Sequence, residues 1–444
     1  MSAEELRIKI RGWKAERDQP SLPEVHRSIS VPQGRSWIRR LLAFAGPGYL
    51  VAVGYMDPGN WATDIAGGSA YNYALLSAIL LSSLMAVLLQ ALSAKLGIVT
   101  GRDLAQACRD AYSKPVVVLL WLSAEIAIIA CDVAEVIGAA IALELLFHLP
   151  LMLGVLITAS DALIILALQH KGFRLIEALV VALMGTMIVI FAFEMFYARP
   201  EWRPFFHGFL PSSAIVKNHE MLFIALGIMG ATVMPHNLYL HSSIVQTRNY
   251  GTERSQVSEA IRLSYTDSTF ALGIAMFVNV AILVVSAAVF HRSGHVEVKS
   301  IEDAYKMLTP LVGIAAAAPL FGVALLAAGQ NSTLTGTLAG QIILEGFTRF
   351  RVKPWVRRMI SRGIAIVPAV LAIVVYGDSG LQKLMILSQV VLSMQLSLAV
   401  FPLIQFTSDR AKMGEFVNGP ITKGLGWTIA TVILALNIIL LAQS

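Results

Sequence analysis

Charge is scarce in this chain: Asp, Glu, Lys and Arg make up 14% of its 444 residues, against roughly 25% in ordinary soluble domains. With 56% hydrophobic residues, it has too little polar surface to cover a water-exposed fold of this length. The same balance excludes an intrinsically disordered chain, which needs low hydrophobicity. Cysteine is nearly absent as well. Cys108 and Cys131 alone cannot build a disulfide-stapled secreted domain. No basic stripe interleaved with aromatics occurs, so the net charge of +6 has no nucleic-acid surface behind it. Residues 1–40 contain no apolar run, which argues against a secretory signal peptide. What remains is a polytopic membrane protein.

Long apolar runs are what the chain does have. They begin near Leu41, Ala74, Pro115, Leu151, Ile176, Met221, Phe270, Ala315, Ile364, Leu384 and Trp427. Each continues for roughly 18–25 residues, the length a helix needs to cross a bilayer. None alternates as barrel strands would. The third run, from Pro115 to about Phe147, is read as one tilted helix. Eleven spans predict an all-α polytopic fold with its termini on opposite faces. Lys and Arg test the direction. With the N-terminus in the cytoplasm, the inner segments hold 27 of them and the outer segments 7. The positive-inside rule therefore predicts an N-terminus inside and a C-terminus outside the plasma (inner) membrane. Residues 1–40 become a cytoplasmic segment, patterned for either a structureless chain or a short amphipathic helix.

Two spans are interrupted. In the first, Gly54-Tyr55-Met56-Asp57-Pro58-Gly59-Asn60 divides an apolar stretch. In the sixth, Gly230-Ala231-Thr232-Val233-Met234-Pro235-His236 does the same. Proline removes a donor and clashes with the preceding turn. A kink is the plain explanation for either proline alone. Unwound backbone at membrane depth is tolerated only inside protein or beside a water-filled cavity. Interrupted helices at matching positions point to a transporter of two inverted repeats with a midplane site. The expected organisation is a five-helix repeat over 41–200, a second over 201–408, and a loop with an eleventh helix over 409–444.

The breaks carry polar groups. Asp57 offers an anionic oxygen and Asn60 a neutral one, and the carbonyls of Gly54 and Ala231 offer more. A buried Asp costs on the order of 2.5–3.5 kcal/mol even on lenient insertion scales. Met234 is a soft thioether, which favours later transition metals over Mg²⁺ and Ca²⁺; simple packing accounts for it equally well. In the third span, Glu125, Asp132 and Glu135 face roughly one way. Arg357 and Arg358 open the ninth span and suit these acids, or anchor it at the membrane edge. With His236 they read as a proton relay, or as structural pairing in a bundle. Gln389 in span ten reads as a site residue or as an interhelical hydrogen bond. His236 and His241, five apart, lie on different faces and are not a zinc pair.

The Asp57-Pro58-Gly59-Asn60 and Met234-Pro235-His236 motifs resemble the two metal-site signatures of the Nramp family of divalent metal transporters. Stretches 231–242 (ATVMPHNLYLHS) and 329–341 (GQNSTLTGTLAGQ) resemble it too, and the likeness runs from about residue 41 to the last helix. The length resembles the bacterial manganese-importer branch. The resemblance implies a LeuT-type fold and proton-coupled import of Mn²⁺ or Fe²⁺, with Co²⁺ and Cd²⁺ as further cargo. It implies metal ligation by Asp57, Asn60 and Met234, with the carbonyls of Gly54 and Ala231, and approach of Gln389 in an occluded state. For protons it implies Asp57, His236, Asp132 and Glu135, continued inward by Glu125, Arg357 and Arg358. Metal and protons are then cargo, with no permanently bound cofactor, in a monomer surrounded by lipid. Gly54 departs from the family's usual alanine, which is expected to loosen that carbonyl. Three alternatives follow from the same residues. One is a cation-coupled amino-acid transporter of this architecture, which Met234 and anionic Asp57 disfavour. One is an integral-membrane metalloprotein, for which the nine histidines form no ligand-spaced cluster. One is a metal sensor, for which no soluble output domain exists.

Overall fold

The computed structural model describes residues 12–15, 19–32, 36–158, 173–295, 298, 300–376 and 378–443. The described chain is helical apart from one parallel pairing of two-residue strands, β1 (Ile29–Ser30) with β2 (Arg248–Asn249). The helices that follow the apolar runs are α1 (Trp37–Phe44), α2 (Pro47–Gly54), α3 (Pro58–Tyr71), α4 (Leu76–Thr100), α5 (Leu104–Ala111) and α6 (Lys114–Phe147). Next come α7 (Leu151–Thr158), α8 (Phe173–Ala198), α9 (His219–Thr232), α10 (Pro235–Ile244) and α11 (Arg254–Val289). The last are α12 (Ile301–Val312), α13 (Ala317–Thr348), α14 (Pro354–Tyr376), α15 (Asp378–Thr407) and α16 (Pro420–Gln443).

Each of the eleven apolar runs enters a helix. Eight helices among the described residues are long and apolar enough to cross a membrane. The third run is a single helix of 34 residues, α6. The three runs outside that group have separate reasons. The first is divided between α2 and α3, of 8 and 14 residues. At about 1.5 Å per residue neither half reaches across a hydrocarbon core of about 30 Å. The fourth continues from α7 past the described residues, and Lys171 lies outside them too. The eighth, α13, has the length, with 32 residues, but Gln330, Asn331, Ser332 and Thr333 in its middle dilute its apolarity.

The two interrupted helices occupy the centre. α3 packs on α9 and α2 on α10, so the breaks meet. Almost every residue of these four half-helices is buried. Outer helices such as α14 turn Val367, Leu371 and Val374 outward, as expected of a lipid-facing stripe. Above the first break, Trp61 is fully buried, edge-on to Phe191 at 4.9 Å and to Phe321 at 5.0 Å.

The start of α2 is held by a clamp of charges. Buried Arg248 donates from Nε to the Phe44 carbonyl at 2.7 Å and from Nη2 to the Ala45 carbonyl at 2.7 Å, and pairs with Glu177 at 2.7 Å. Asp267 accepts from the Gly48 amide at 2.7 Å and the Gly46 amide at 3.3 Å. Gly46 sits at φ +140°, and a Cβ there would overlap Glu177 and Arg248. This position therefore needs glycine twice over.

The segment before α1 is tied down over its described residues, without a helix. Pro20, Pro23 and Pro32 remove the donors a helix would need. Trp13 lies under the Arg102 guanidinium at 4.7 Å and edge-on to Phe406 at 5.6 Å. Ser21 Oγ donates to Asp103 at 2.6 Å, the Leu22 amide to Glu345 at 3.3 Å, and the Arg27 amide to the Gln246 carbonyl at 3.0 Å. The segment thus spans α5, the end of α13 and the end of α10.

Candidate metal centre

Both breaks have the same local form. A helix ends, two or three residues leave helical geometry, and a proline starts the next helix at its first position, where its missing N–H costs nothing. In the first break, the Tyr55 and Met56 amides turn back to the Ala52 and Val53 carbonyls at 3.1 Å each. Asp57 then caps α3: its Oδ1 accepts from the Asn60 amide at 2.8 Å and from Asn60 Nδ2 at 2.7 Å. In the second break, α9 closes with the Val233 amide on the Met229 carbonyl at 2.7 Å, and Met234 takes the capping position of α10 without a side-chain cap.

Asn60 joins the two breaks. Its Nδ2 also donates to the Ala231 carbonyl at 3.1 Å. Asp57, Asn60, Ala231 and Met234 are all fully buried. Met234 packs with Ala127, Cys131 and Leu392, and its sulfur lies 3.7 Å from Asn237 Nδ2. Gln389 reaches the first break from α15: a Cβ on Gly59 would overlap its amide. Gly54 has a similar neighbour, since a Cβ there would overlap Asn237 Nδ2. The missing methyl is space that Asn237 uses.

The acceptors here are unsatisfied. Asp57 Oδ2 and Gln389 Oε1 are buried without hydrogen-bond partners. Buried polar atoms are normally paired, so these two free acceptors mark a candidate cation site. The C-termini of α2 and α9 end here too, with the negative ends of their dipoles and their last carbonyls. Hard oxygens plus one thioether match a transition metal better than Mg²⁺ or Ca²⁺. Among the described residues, no three His, Cys, Asp or Glu side chains gather to hold a metal. The site's donor set is of another kind, one carboxylate with amides, carbonyls and sulfur.

A second cluster adjoins it. Arg358 on α14 pairs with Asp132, and with Glu135 at 2.8 Å. Arg362 reaches Glu135 at 3.1 Å, and Ser332 Oγ donates to Glu135 at 2.6 Å. Arg357 pairs with Glu125 at 2.8 Å. Gly340 on α13 leaves room for this arginine, because a Cβ there would overlap its guanidinium. Cys131 bridges inward: its Sγ lies 3.5 Å from Glu135 Oε1 and 3.9 Å from His236 Nε2. His241 points elsewhere, to Gln90 at 3.1 Å, and Gln90 donates to the Tyr55 hydroxyl at 2.7 Å.

Sequence reasoning overlooked several members. Asn279 on α11 donates to the Tyr55 carbonyl at 2.9 Å and to Asn60 Oδ1 at 3.2 Å. A lone asparagine in the apolar run Met276–Val285 was its signal. Arg362, one turn beyond Arg358, was legible by helical spacing. Cys131 carried no signal beyond lying one residue before Asp132.

A family model described as "Natural resistance-associated macrophage protein-like" (Nramp) matches residues 48–443. The chain belongs to the Nramp family. It is 58% identical over 427 residues to a divalent metal cation transporter MntH of Nostoc sp., covering 96% of this chain and 97% of that one. A protein of the same name from Listeria innocua is 57% identical over 441 residues, covering 99% and 98%. Among solved structures, a manganese transporter of Eremococcus coleocola superposes with a TM-score of 0.88 at 43% identity, over 95% of this chain and 90% of that one. Mhp1, a nucleobase-cation-symport-1 family transporter, shares the fold alone, with a TM-score of 0.60 at 16% identity over 89% of this chain and 90% of the other. The architecture of this Nramp chain is accordingly LeuT-type.

The Arg358 cluster generates a stability prediction. Removing one partner of a buried ion pair costs about 3–5 kcal/mol because the other charge is left unpaired. Arg358→Gln strands Asp132 and half of the Glu135 pairing. It should lower the thermal midpoint of the purified protein markedly, and Arg358→Gln with Asp132→Asn should recover part of the loss. No recovery in the double variant contradicts the pairing.

Proposed function

We propose that the chain imports divalent transition-metal ions, with Mn²⁺ and Fe²⁺ first and Co²⁺ and Cd²⁺ as further cargo, by proton-coupled alternating access. The observation that carries this reading is the convergence of unpaired buried acceptors where Asn60 joins the two breaks. The printed names of the relatives, divalent metal cation transporter and manganese transporter, agree with it. In this reading Asp57, Asn60 and Met234 bind the ion, helped by the carbonyls of Ala231 and Gly54, with Gln389 closing on it in an occluded state. The ion replaces the proton on Asp57. His236, Asp132 and Glu135 accept protons, and Glu125 with Arg357 and Arg358 continue the path toward the cytoplasm.

The expected topology completes the proposal: eleven spans in the plasma membrane, N-terminus inside and C-terminus outside, as a monomer. Repeats 41–200 and 201–408 rock about the site, and 409–444 stands outside them. An inside-negative potential assists entry by about 2.3 kcal/mol per charge per 100 mV. A carboxylate substrate fits less well. It would need free amides at a half-helix N-terminus, and Asp57's own carboxylate occupies the Asn60 amide of α3.

Two substitutions in proteoliposomes test the site. Asp57→Ala should abolish Mn²⁺ uptake; uptake at the wild-type rate would sink the assignment. Met234→Ala should retain part of the Mn²⁺ uptake and let Ca²⁺ or Mg²⁺ compete. If Ca²⁺ still fails to compete in that variant, the thioether is not the filter.

A further inference from the structure

An apolar groove opens on the outer surface of the helix bundle, where α4, α9 and α16 come together. Its volume is about 440 Å³. The lining runs from Ser77 to Met85 on α4, from Leu222 to Met229 on α9 and from Thr428 to Leu436 on α16. At about 1.5 Å per residue it follows each helix for about 10–12 Å. Ile215 and Val216 cover one end, where Gln443 Nε2 at the close of α16 donates to the Val216 carbonyl at 3.3 Å. Toward the other end the groove reaches Met229, whose carbonyl closes α9 at the second break.

The lining offers hydrocarbon. Its serines on α4 are turned back into their own helix: Ser77 Oγ donates to the Ala74 carbonyl at 3.1 Å and Ser82 Oγ to the Ala78 carbonyl at 2.7 Å. Water settles in a cavity only where about two to four polar groups receive it, so an apolar occupant suits this one. Shape narrows the choice. Spread over its length, the volume of about 440 Å³ gives a mean cross-section of about 40 Å² at the helical rise per residue. A helix with its side chains is about 10–12 Å across and needs about 80–110 Å². A partner helix is therefore too thick for the groove, whereas a single hydrocarbon chain fits.

Depth points to the source of that chain. At the rim, Leu81 is 47% and Val432 43% exposed, and they continue into exposed Leu84 and Ile438 on the same helices. The groove is thus an indentation in the apolar outer surface. Above its covered end, Ser212, Ser213 and Lys217 are exposed, and the same connection carries exposed Trp202 and Phe206. Exposed aromatics of this kind mark the level of lipid headgroups. From there the groove runs inward along three membrane-length or half-length helices, as an acyl chain does.

We propose that this groove holds one acyl chain of a phospholipid, with the headgroup at the level of residues 211–217 and the chain between the half-helix α9 and α16. The assignment depends neither on the transported ion nor on which face is cytoplasmic.

The test uses the purified full chain in phosphatidylcholine vesicles doped with a phosphatidylcholine that carries a photoactivatable diazirine at the end of one acyl chain. After illumination, labelled residues are mapped by peptide mass spectrometry. Labelling should concentrate on the groove stretches of α4, α9 and α16 over the outward stripe of α14. Val432→Phe, at an exposed lining position, and Ala225→Phe, in the α9 wall, should each lower groove labelling about ten-fold, the worth of two displaced methylenes. Labelling of α14 should stay unchanged in both, which reports that the variants are folded. Equal labelling of the groove and α14 in the wild type makes the contact ordinary bulk lipid and overturns the site. Groove labelling that neither variant lowers overturns it as well. Groove labelling below that of α14 means that protein covers the groove, as a second copy would, and overturns the lipid assignment.

Discussion

Backbone that unwinds inside a membrane must find partners for the groups it frees, and Asn60 does this for two breaks at once. Its amide nitrogen holds the Asp57 carboxylate on one side and the Ala231 carbonyl on the other. Its own backbone N–H is capped by Asp57, and its side-chain oxygen Oδ1 accepts from Asn279. This amide ties the two half-helix junctions to each other. It uses donors and leaves acceptors over. Asp57 Oδ2 and Gln389 Oε1 are buried without hydrogen-bond partners. In the proposed reading a cation would satisfy both together, so the break that costs backbone hydrogen bonds would serve as a binding site.

Closure on both sides follows from the same centre. On one side, Trp61 wedges between Phe191 and Phe321. On the other, Tyr55, Gln90 and His241 form a hydrogen-bonded chain across α4 and α10, and Arg248, Glu177 and Asp267 hold the entry to α2. This second set is hydrogen-bonded and charged, unlike the packed aromatics around Trp61. A buried ion pair roughly offsets its own desolvation, so such a closure is well suited to opening. The carboxylates of α6 sit beside the site rather than in it, with His236 and Cys131 between.

Much of this was legible from local pattern. Apolar runs of membrane length, prolines beside polar residues and the three-residue spacing of Asp132 and Glu135 are properties of short segments. The helices begin where the pattern places them: Pro58 and Pro235 open the second halves of the broken pair, and the run from Pro115 is one unbroken helix. Long-range partners were not legible. Asn279 meets Asn60 across 219 residues, and nothing near it in sequence announces that. The N-terminal segment showed only an absence of apolar pattern; its order comes from Trp13, Ser21 and Leu22 finding partners on three distant helices. Asn237 occupies the space beside Gly54 that a methyl would fill, a contact that no local pattern announces. Such pairings are tertiary facts, and propensity or periodicity in one segment does not encode them.

The central claim is that the two breaks together form one metal site with a sulfur ligand. It is tested most directly by anomalous diffraction from crystals of the protein soaked in Mn²⁺. The account predicts a single dominant anomalous peak within coordinating distance of Asp57, Asn60 and Met234, lost in Asp57→Ala. A dominant peak elsewhere, or a peak between the breaks that Asp57→Ala leaves unchanged, would contradict it.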